Sequence, residues 1–328
     1  MKNVLYSLLL ICISFPSYSA LEYMGVGTHI NNNSKVNEIS NAILELNLNT
    51  FRDDIKWKDI EVNKGVYSLS KVKSLIALID LMNKKGIRPI IILGYGNEIY
   101  DHGAPPETNE ELTAFGNYVD FVSKKLKGKV AFYEIWNEWT RNTKYKDINL
   151  SEKSYLAIVK QSSNIIRRND SNAKILIGGI NVFASQGKYF KGSEKFWLKE
   201  LISKNIMKYA DGISLHAYSI YEPTGRRNPE LYFNYLDHAV SSLGYNGKFY
   251  ITEFGVPSEP YLHGFDSKYI KNYILSYIKA AESRSYLHGL WWYDLKDDGV
   301  DLHNREHHFG LLDYHYKMKS YASSIKDK

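Results

Sequence analysis

A chain of 328 residues with 44% hydrophobic and 24% charged side chains has ample apolar material for a large core, which excludes a disordered protein. Its net charge of +6 comes from scattered lysines rather than a basic stripe, and no recognition motif accompanies them, so nucleic acid is excluded as a partner. A single cysteine, Cys12, excludes a disulfide-stapled scaffold.

The N-terminus comes first in chain order. Lys2, the apolar run Val4–Ser14 and the small-x-small triplet Ser17-Tyr18-Ser19 read as a secretory signal over residues 1–19, cleaved before Ala20. Ile11 stands before Cys12 where a lipoprotein signal needs a small residue. The apolar run is too short to span a bilayer and no other segment qualifies. The expectation is an exported protein, periplasmic or secreted, without a membrane anchor and without thiol chemistry.

Eight apolar, β-branched or aromatic runs then follow, over Gly25–Ile30, Asn49–Ile55, Ile87–Gly96, Val130–Glu138, Lys174–Gly179, Gly212–Tyr218, Lys248–Gly255 and Gly289–Leu295. Between them lie amphipathic segments of helical period, over Val36–Asn47, Val72–Gly86, Glu111–Gly128, Ser151–Asn169, Glu194–Ala210, Pro229–Leu243 and Ser267–Arg284. Several start on a Ser, Asp or Asn cap, and two close on glycine after lysines. Eight strands with a helix between each and the next predict α/β architecture of one kind, a single (β/α)8 TIM barrel, rather than an open doubly wound sheet. No linker or low-complexity tract divides residues 20–328, which read as one domain. Lysine and arginine pairs such as Lys124-Lys125 and Arg167-Arg168 fall near predicted helix ends, where the helix dipole favours them. A basic cleft for an anionic polysaccharide is the alternative reading of the excess charge.

A barrel of this kind confines its chemistry to the C-terminal ends of the strands. Polar residues collect there: His29 and Asn31, Arg52 and Asp53, Tyr95, Asn97 and Glu98, Trp136-Asn137-Glu138, His216 and Tyr218, Glu253, and Trp292 with Asp294. The fifth strand ends only in Gly178-Gly179 and Asn181. Glu138 and Glu253 each close a buried-strand pattern, and a barrel brings both to one face. Paired carboxylates are what glycoside hydrolysis needs, one to protonate the leaving oxygen and one to attack or to activate water. Glu134, before its strand end, reads as a buried structural partner, and Glu98 and Glu222 as solvated loop carboxylates.

With WNE after the fourth strand, TEFG at the seventh, and the phrases FRDDIKWKDIEVNKGVYSL, GIRPIIILGYGN, ISLHAY and WWYDLKDDG, the chain resembles the retaining glycoside hydrolases of clan A. It looks closest to family 39-like and family 5-like members, including secreted endoglycosidases of bacterial exopolysaccharides. The resemblance implies Glu138 as acid/base and Glu253 as nucleophile, with Glu138 in apolar surroundings near Trp136 and Trp139 and Glu253 held ionised. It implies Arg52 as the cation beside Glu253, Tyr218 or else His216 as its hydrogen-bond donor, and Asn137 as the contact to the sugar 2-hydroxyl. It implies Trp292 as the floor under the sugar, with Trp291 facing the other way, and His29, Asn97 and Asp294 as further contacts to sugar hydroxyls. Clan members often carry proline after the acid/base; here Trp139 follows it.

The stretch DDGVDLHNREHHFG places His303 and His307 at the spacing of some zinc ligands, but without the HExxH arrangement, and reads as a loop lining the cleft. No metal and no cofactor is implied. The expected function is retaining, double-displacement cleavage of β-glycosidic bonds in a polysaccharide, endo-acting on an exopolysaccharide or envelope glycan. The alternatives are an exo-acting β-glycosidase, transglycosylation, and a non-catalytic carbohydrate-binding barrel in polysaccharide export or assembly.

Overall fold

All eight runs become strands in the computed structural model, which describes residues 21–141, 148–183, 185–187, 190–221 and 227–326. The predicted signal at 1–19 with Cys12, and Glu222, lie outside the described residues. The strands are β1 (Tyr23–Val26), β2 (Arg52–Lys56), β3 (Ile90–Gly94), β4 (Phe132–Ile135), β5 (Lys174–Ile180), β6 (Gly212–His216), β7 (Phe249–Phe254) and β8 (Leu287–Trp292). The helices that follow the first seven are α1 (Val36–Glu45), α2 (Lys73–Asn83), α3 (Asn109–Lys125), α4 (Ile148–Asn169), α5 (Glu194–Ser203), α6 (Pro229–Ser241) and α7 (Ser267–Glu282). After β8 the helical position is held by a 3-10 turn at Ala322–Ile325. Local chemistry sets the helix starts. Thr108 and Glu111 form a reciprocal capping box on α3, Asn228 with Pro229 opens α6, and the Asp266 carboxylate accepts from Tyr269 N at 2.7 Å on α7.

The strands run parallel in the order β1-β8-β7-β6-β5-β4-β3-β2, each pairing with its neighbour. The ring closes where Gly27 bridges Arg52 and Thr28 N donates to Arg52 O at 3.0 Å. This is a (β/α)8 barrel, as the alternation predicts.

Alternation along each strand divides its residues between two cores. Ile90, Phe132, Leu176, Tyr250 and Trp291, one from each of five strands, touch one another with Tyr23 and plug the barrel interior. Their rings meet edge to face, Tyr23 on Phe132 at 4.9 Å and Phe132 on Tyr250 at 5.1 Å between centroids. The intervening residues, such as Ile91, Tyr133, Ile177 and Leu215, pack outward into the larger core under the helices.

This parity corrects one expectation. Trp291 faces inward but lies in the lower plug, whereas Trp292 faces outward, is wholly buried, and donates from Nε1 to Phe309 O at 2.9 Å. Its ring packs edge-on against Phe254 at 5.3 Å, so Trp292 is part of the sheet–helix core and not the floor of the cleft. The next inward position at the mouth belongs to Tyr293.

Candidate active site

Above the aromatic plug the interior turns polar. Arg52 on β2, Glu134 on β4, Ser214 on β6 and Thr252 on β7 are all buried. Ser214 Oγ donates to Glu134 Oε1 at 2.6 Å and lies 2.5 Å from Thr252 Oγ1. Glu134 is thus the buried structural partner that its place before the strand end predicts. Tyr250 and Thr252 take the inward positions of β7, so strict alternation turns Glu253 outward. The register between β6 and β7 slips there, from Leu215 opposite Ile251 to His216 opposite Glu253, and the bulge swings Glu253 toward the mouth as well. Glu138 reaches the same mouth by another device. Trp136 and Glu138 both adopt left-handed backbone, φ 67° and 48°, a conformation costing roughly 1–3 kcal/mol per residue that kinks the chain off the end of β4.

Arg52 is the centre of the site. Its Nε donates to Glu134 Oε2 at 2.7 Å, Nη1 to Glu253 Oε1 at 2.7 Å and Nη2 to Asn137 Oδ1 at 2.8 Å. The opposite face of Glu253 is held by Tyr218, whose hydroxyl donates to Oε2 at 2.9 Å. His216 joins the two carboxylates, with Nδ1 3.2 Å from Glu138 Oε1 and Nε2 3.3 Å from Glu253 Oε1. Both residues left open as donors to Glu253 therefore contact it. Burial alone pushes the Glu253 carboxyl up, but the charges of His216 and Arg52 and the hydrogen bonds from Tyr218 and Arg52 outweigh it and bring the carboxyl down to about 2. Burial likewise opposes charge on His216, and the two glutamates reverse this and raise its pKa.

Glu138 is 28% exposed and opens into the cleft. Its neighbours are polar, His216 and the Arg141 guanidinium with Nε at 3.2 Å, and not the apolar walls expected for it. Trp136 and Trp139 pack edge to face at 4.9 Å; Trp136, though buried, lines a recess beside Glu138, while Trp139 is turned into the core and donates from Nε1 to Ser151 Oγ at 3.0 Å. The tryptophan that replaces the clan's proline therefore anchors the loop after β4 to α4. Gly179 explains the bare end of β5: at φ 60°, a Cβ there stands 3.3 Å from Glu134 Oε1 and 3.5 Å from Asn137 Oδ1.

A cavity of about 920 Å³ lies over these groups, lined by His29, Asn137, Glu138, His216, Tyr218, Glu253 and Tyr293 among others. Arg305 and Glu306 also line it, as expected of the DDG loop. His29 reaches the cleft, but Asp294 does not. It is 2% exposed and stands behind His29, its Oδ2 3.0 Å from Nδ1. Burial opposes the charge of His29, and Asp294 with Asp298 overcomes this and holds its pKa well above the ordinary histidine value. Asn97 is also corrected. Buried away from the cavity, it donates to Glu61 O at 2.9 Å and accepts from Ile99 N at 3.1 Å, and so staples the loop after β3. Among the described residues, the one set of three converging metal-type ligands is His29, Asp294 and Asp298, and their ion pairing accounts for it. Sequence reasoning missed Tyr293, Arg141 and the Ser214–Thr252 pair; counting inward positions up from Trp291 finds the first.

The family model for Cellulase (glycosyl hydrolase family 5) matches residues 16–297. The chain belongs to glycosyl hydrolase family 5. No curated protein matches this family 5 chain in sequence. Solved structures share its fold. A family 39 glycoside hydrolase from the gut symbiont Bacteroides cellulosilyticus WH2 is 23% identical with a TM-score of 0.75, over 94% of this chain and 64% of that one. An exo-β-1,4-mannosidase from Opitutaceae bacterium strain TAV5 is 17% identical with a TM-score of 0.67, over 94% of this chain and 59% of that one. The GH5_18 protein from Streptomyces cattleya, solved with GlcNAc, is 13% identical with a TM-score of 0.70, over 94% of this chain and 80% of that one. The family 5 chain thus spans less than two thirds of the length of the first two.

Proposed function

We propose that the protein is a retaining glycoside hydrolase that cleaves internal β-linkages of an exported or envelope polysaccharide by double displacement. One observation carries the reading: Arg52, Tyr218 and His216 hold Glu253 ionised, while Glu138, bound to the same imidazole, opens to the cleft. Glu253 attacks the anomeric carbon as Glu138 gives its proton to the departing oxygen. Glu138 then takes a proton from water, whose oxygen displaces Glu253 and releases a sugar of unchanged configuration. Asn137, oriented by Arg52, is placed to bond the sugar 2-hydroxyl, and Tyr293 supplies the ring beneath the sugar.

Internal cleavage is supported by the cleft itself, which continues past Glu138 into a second recess of about 490 Å³. Export rests on the signal-like sequence at residues 1–19. The test is to incubate the protein with β-linked polysaccharides and envelope glycan and to follow new reducing ends, product length and anomeric configuration. Short oligosaccharides of retained configuration, absent with Glu138→Gln or Glu253→Gln, are the expected outcome. Terminal monosaccharides alone refute endo action, and turnover unchanged in Glu253→Gln refutes the mechanism.

A further inference from the structure

Directly after β2 the chain makes a single helical turn, Trp57–Ile60, whose anchor is Trp57. The indole is buried, stacks on Tyr100 at 4.9 Å and donates from Nε1 to Glu61 Oε2 at 2.7 Å. Glu61 is buried too, and neutral donors satisfy it further, Gly65 N at 2.7 Å and Tyr100 Oη at 2.8 Å. This fixed turn presents Lys56 and Lys58 on either side of Trp57, and both line the recess beside Glu138.

The recess has an uneven charge. Lys56, Lys58, His102 and Arg141 face Glu98 and Glu138 across it. When Glu138 carries the proton it donates, Glu98 is the remaining negative charge against three permanent cations. Neither Lys56 nor Lys58 forms an ion pair with any described carboxylate. Lys56 Nζ stands 5.3 Å over the Tyr95 ring, and the adjacent Asp54 accepts from Tyr95 Oη at 3.0 Å instead. Two ammonium groups lining one recess with no ion-paired carboxylate attract an anion.

We propose that this recess takes the carboxylate of a uronic acid residue, so that the substrate is an acidic polysaccharide; the proposal rests on the glycosidase reading above. Lys58 and Lys56 donate to the carboxylate, and the neighbouring sugar sits in the cleft they share with Glu138.

The experiment uses the full chain carrying Glu253→Gln, which binds without cleaving. Oligosaccharides of β-1,4-linked glucuronate and mannuronate, and their carboxyl-reduced counterparts, are titrated calorimetrically. Acidic oligomers bind about tenfold more tightly at low salt, and the preference fades at 1 M salt, where the screening length falls to about 3 Å. Adding Lys58→Gln, at an exposed position that leaves the fold intact by circular dichroism, weakens acidic but not neutral binding by roughly three- to tenfold. Equal affinity for acidic and neutral oligomers, binding of neither, or a preference that survives Lys56→Gln with Lys58→Gln overturns the proposal. Wild-type hydrolysis of both kinds at equal rates also overturns it and leaves the glycosidase reading standing. Charge-selective binding with no hydrolysis by the wild type overturns the glycosidase reading instead.

Discussion

Replacing Glu253 with glutamine keeps its size and removes its charge, which isolates what Arg52 and His216 do for that carboxylate. The group is 12% exposed and is brought from an ordinary 4.5 to about 2. At about 1.4 kcal/mol per pH unit, ionised Glu253 adds about 3 kcal/mol to the stability of the folded chain. The sign follows from a folded value below the unfolded one. The contribution is complete above pH 4.5 and is lost as pH falls toward 2. His216 works in the opposite sense: its value is raised above 6.5, so its share is complete below that pH and is lost as pH rises past the folded value. Near pH 5.5 both are in full effect. Urea unfolding followed by fluorescence at pH 5.5 and pH 3 measures the difference between wild type and Glu253→Gln. The wild type is more stable by about 3 kcal/mol at pH 5.5, equivalent to about 5 °C in Tm for a chain of this length, and the gap shrinks to about half by pH 3. A gap that does not change with pH, or a variant more stable than wild type at pH 5.5, refutes the assignment of Arg52 and His216 as the groups that hold Glu253 ionised.

Tyr218→Phe removes one hydrogen bond to the Glu253 carboxylate, the proposed nucleophile, and leaves the ring in place. It lowers kcat/KM by about 10- to 100-fold on a cleaved β-linked polysaccharide and costs about 1–3 kcal/mol by urea unfolding at pH 5.5; equal rates refute the contact. Trp292→Ala opens a hole under the helices and costs about 3–5 kcal/mol by urea unfolding while KM holds, whereas Tyr293→Ala raises KM with little loss of stability; the reverse pattern refutes the parity of β8. Asn97→Ala strips Glu61 O and Ile99 N of their partner and lowers stability by about 1–3 kcal/mol without changing KM, and a KM effect returns Asn97 to the sugar site.

The strands were legible because each is a short apolar run between turn residues, and the ends of β4 and β7 were legible because the pattern stops at a carboxylate. Arg52, His216 and Tyr218 lie at inward positions of strand ends or just past them, and the structure gathers them around Glu253. Trp292 went astray because both tryptophans of β8 look equally fit for a sugar, and only the contacts of Trp291 with Phe132 and Tyr250 fix which phase faces inward. The bulge at Thr252 is invisible in a list of residues, since it depends on how β7 registers with β6. Asn97 carries the right chemistry for a hydroxyl contact, but the buried carbonyl of Glu61 claims it. The surroundings of Glu138 were misjudged for a similar reason. The left-handed turn that carries it directs Trp139 into the core, leaving only Trp136 of the two along the recess.

Arg52 grips two carboxylates, one buried and one reactive, and this shapes the whole reaction cycle. In the proposed mechanism Glu253 becomes an ester of the sugar and its negative charge disappears, and an arginine neutralised by Glu253 alone is left as a lone cation in the barrel interior. Glu134, which bonds Nε at 2.7 Å, takes no part in that step. It acts as a standing counter-charge, so the covalent intermediate forms and breaks without stranding the guanidinium.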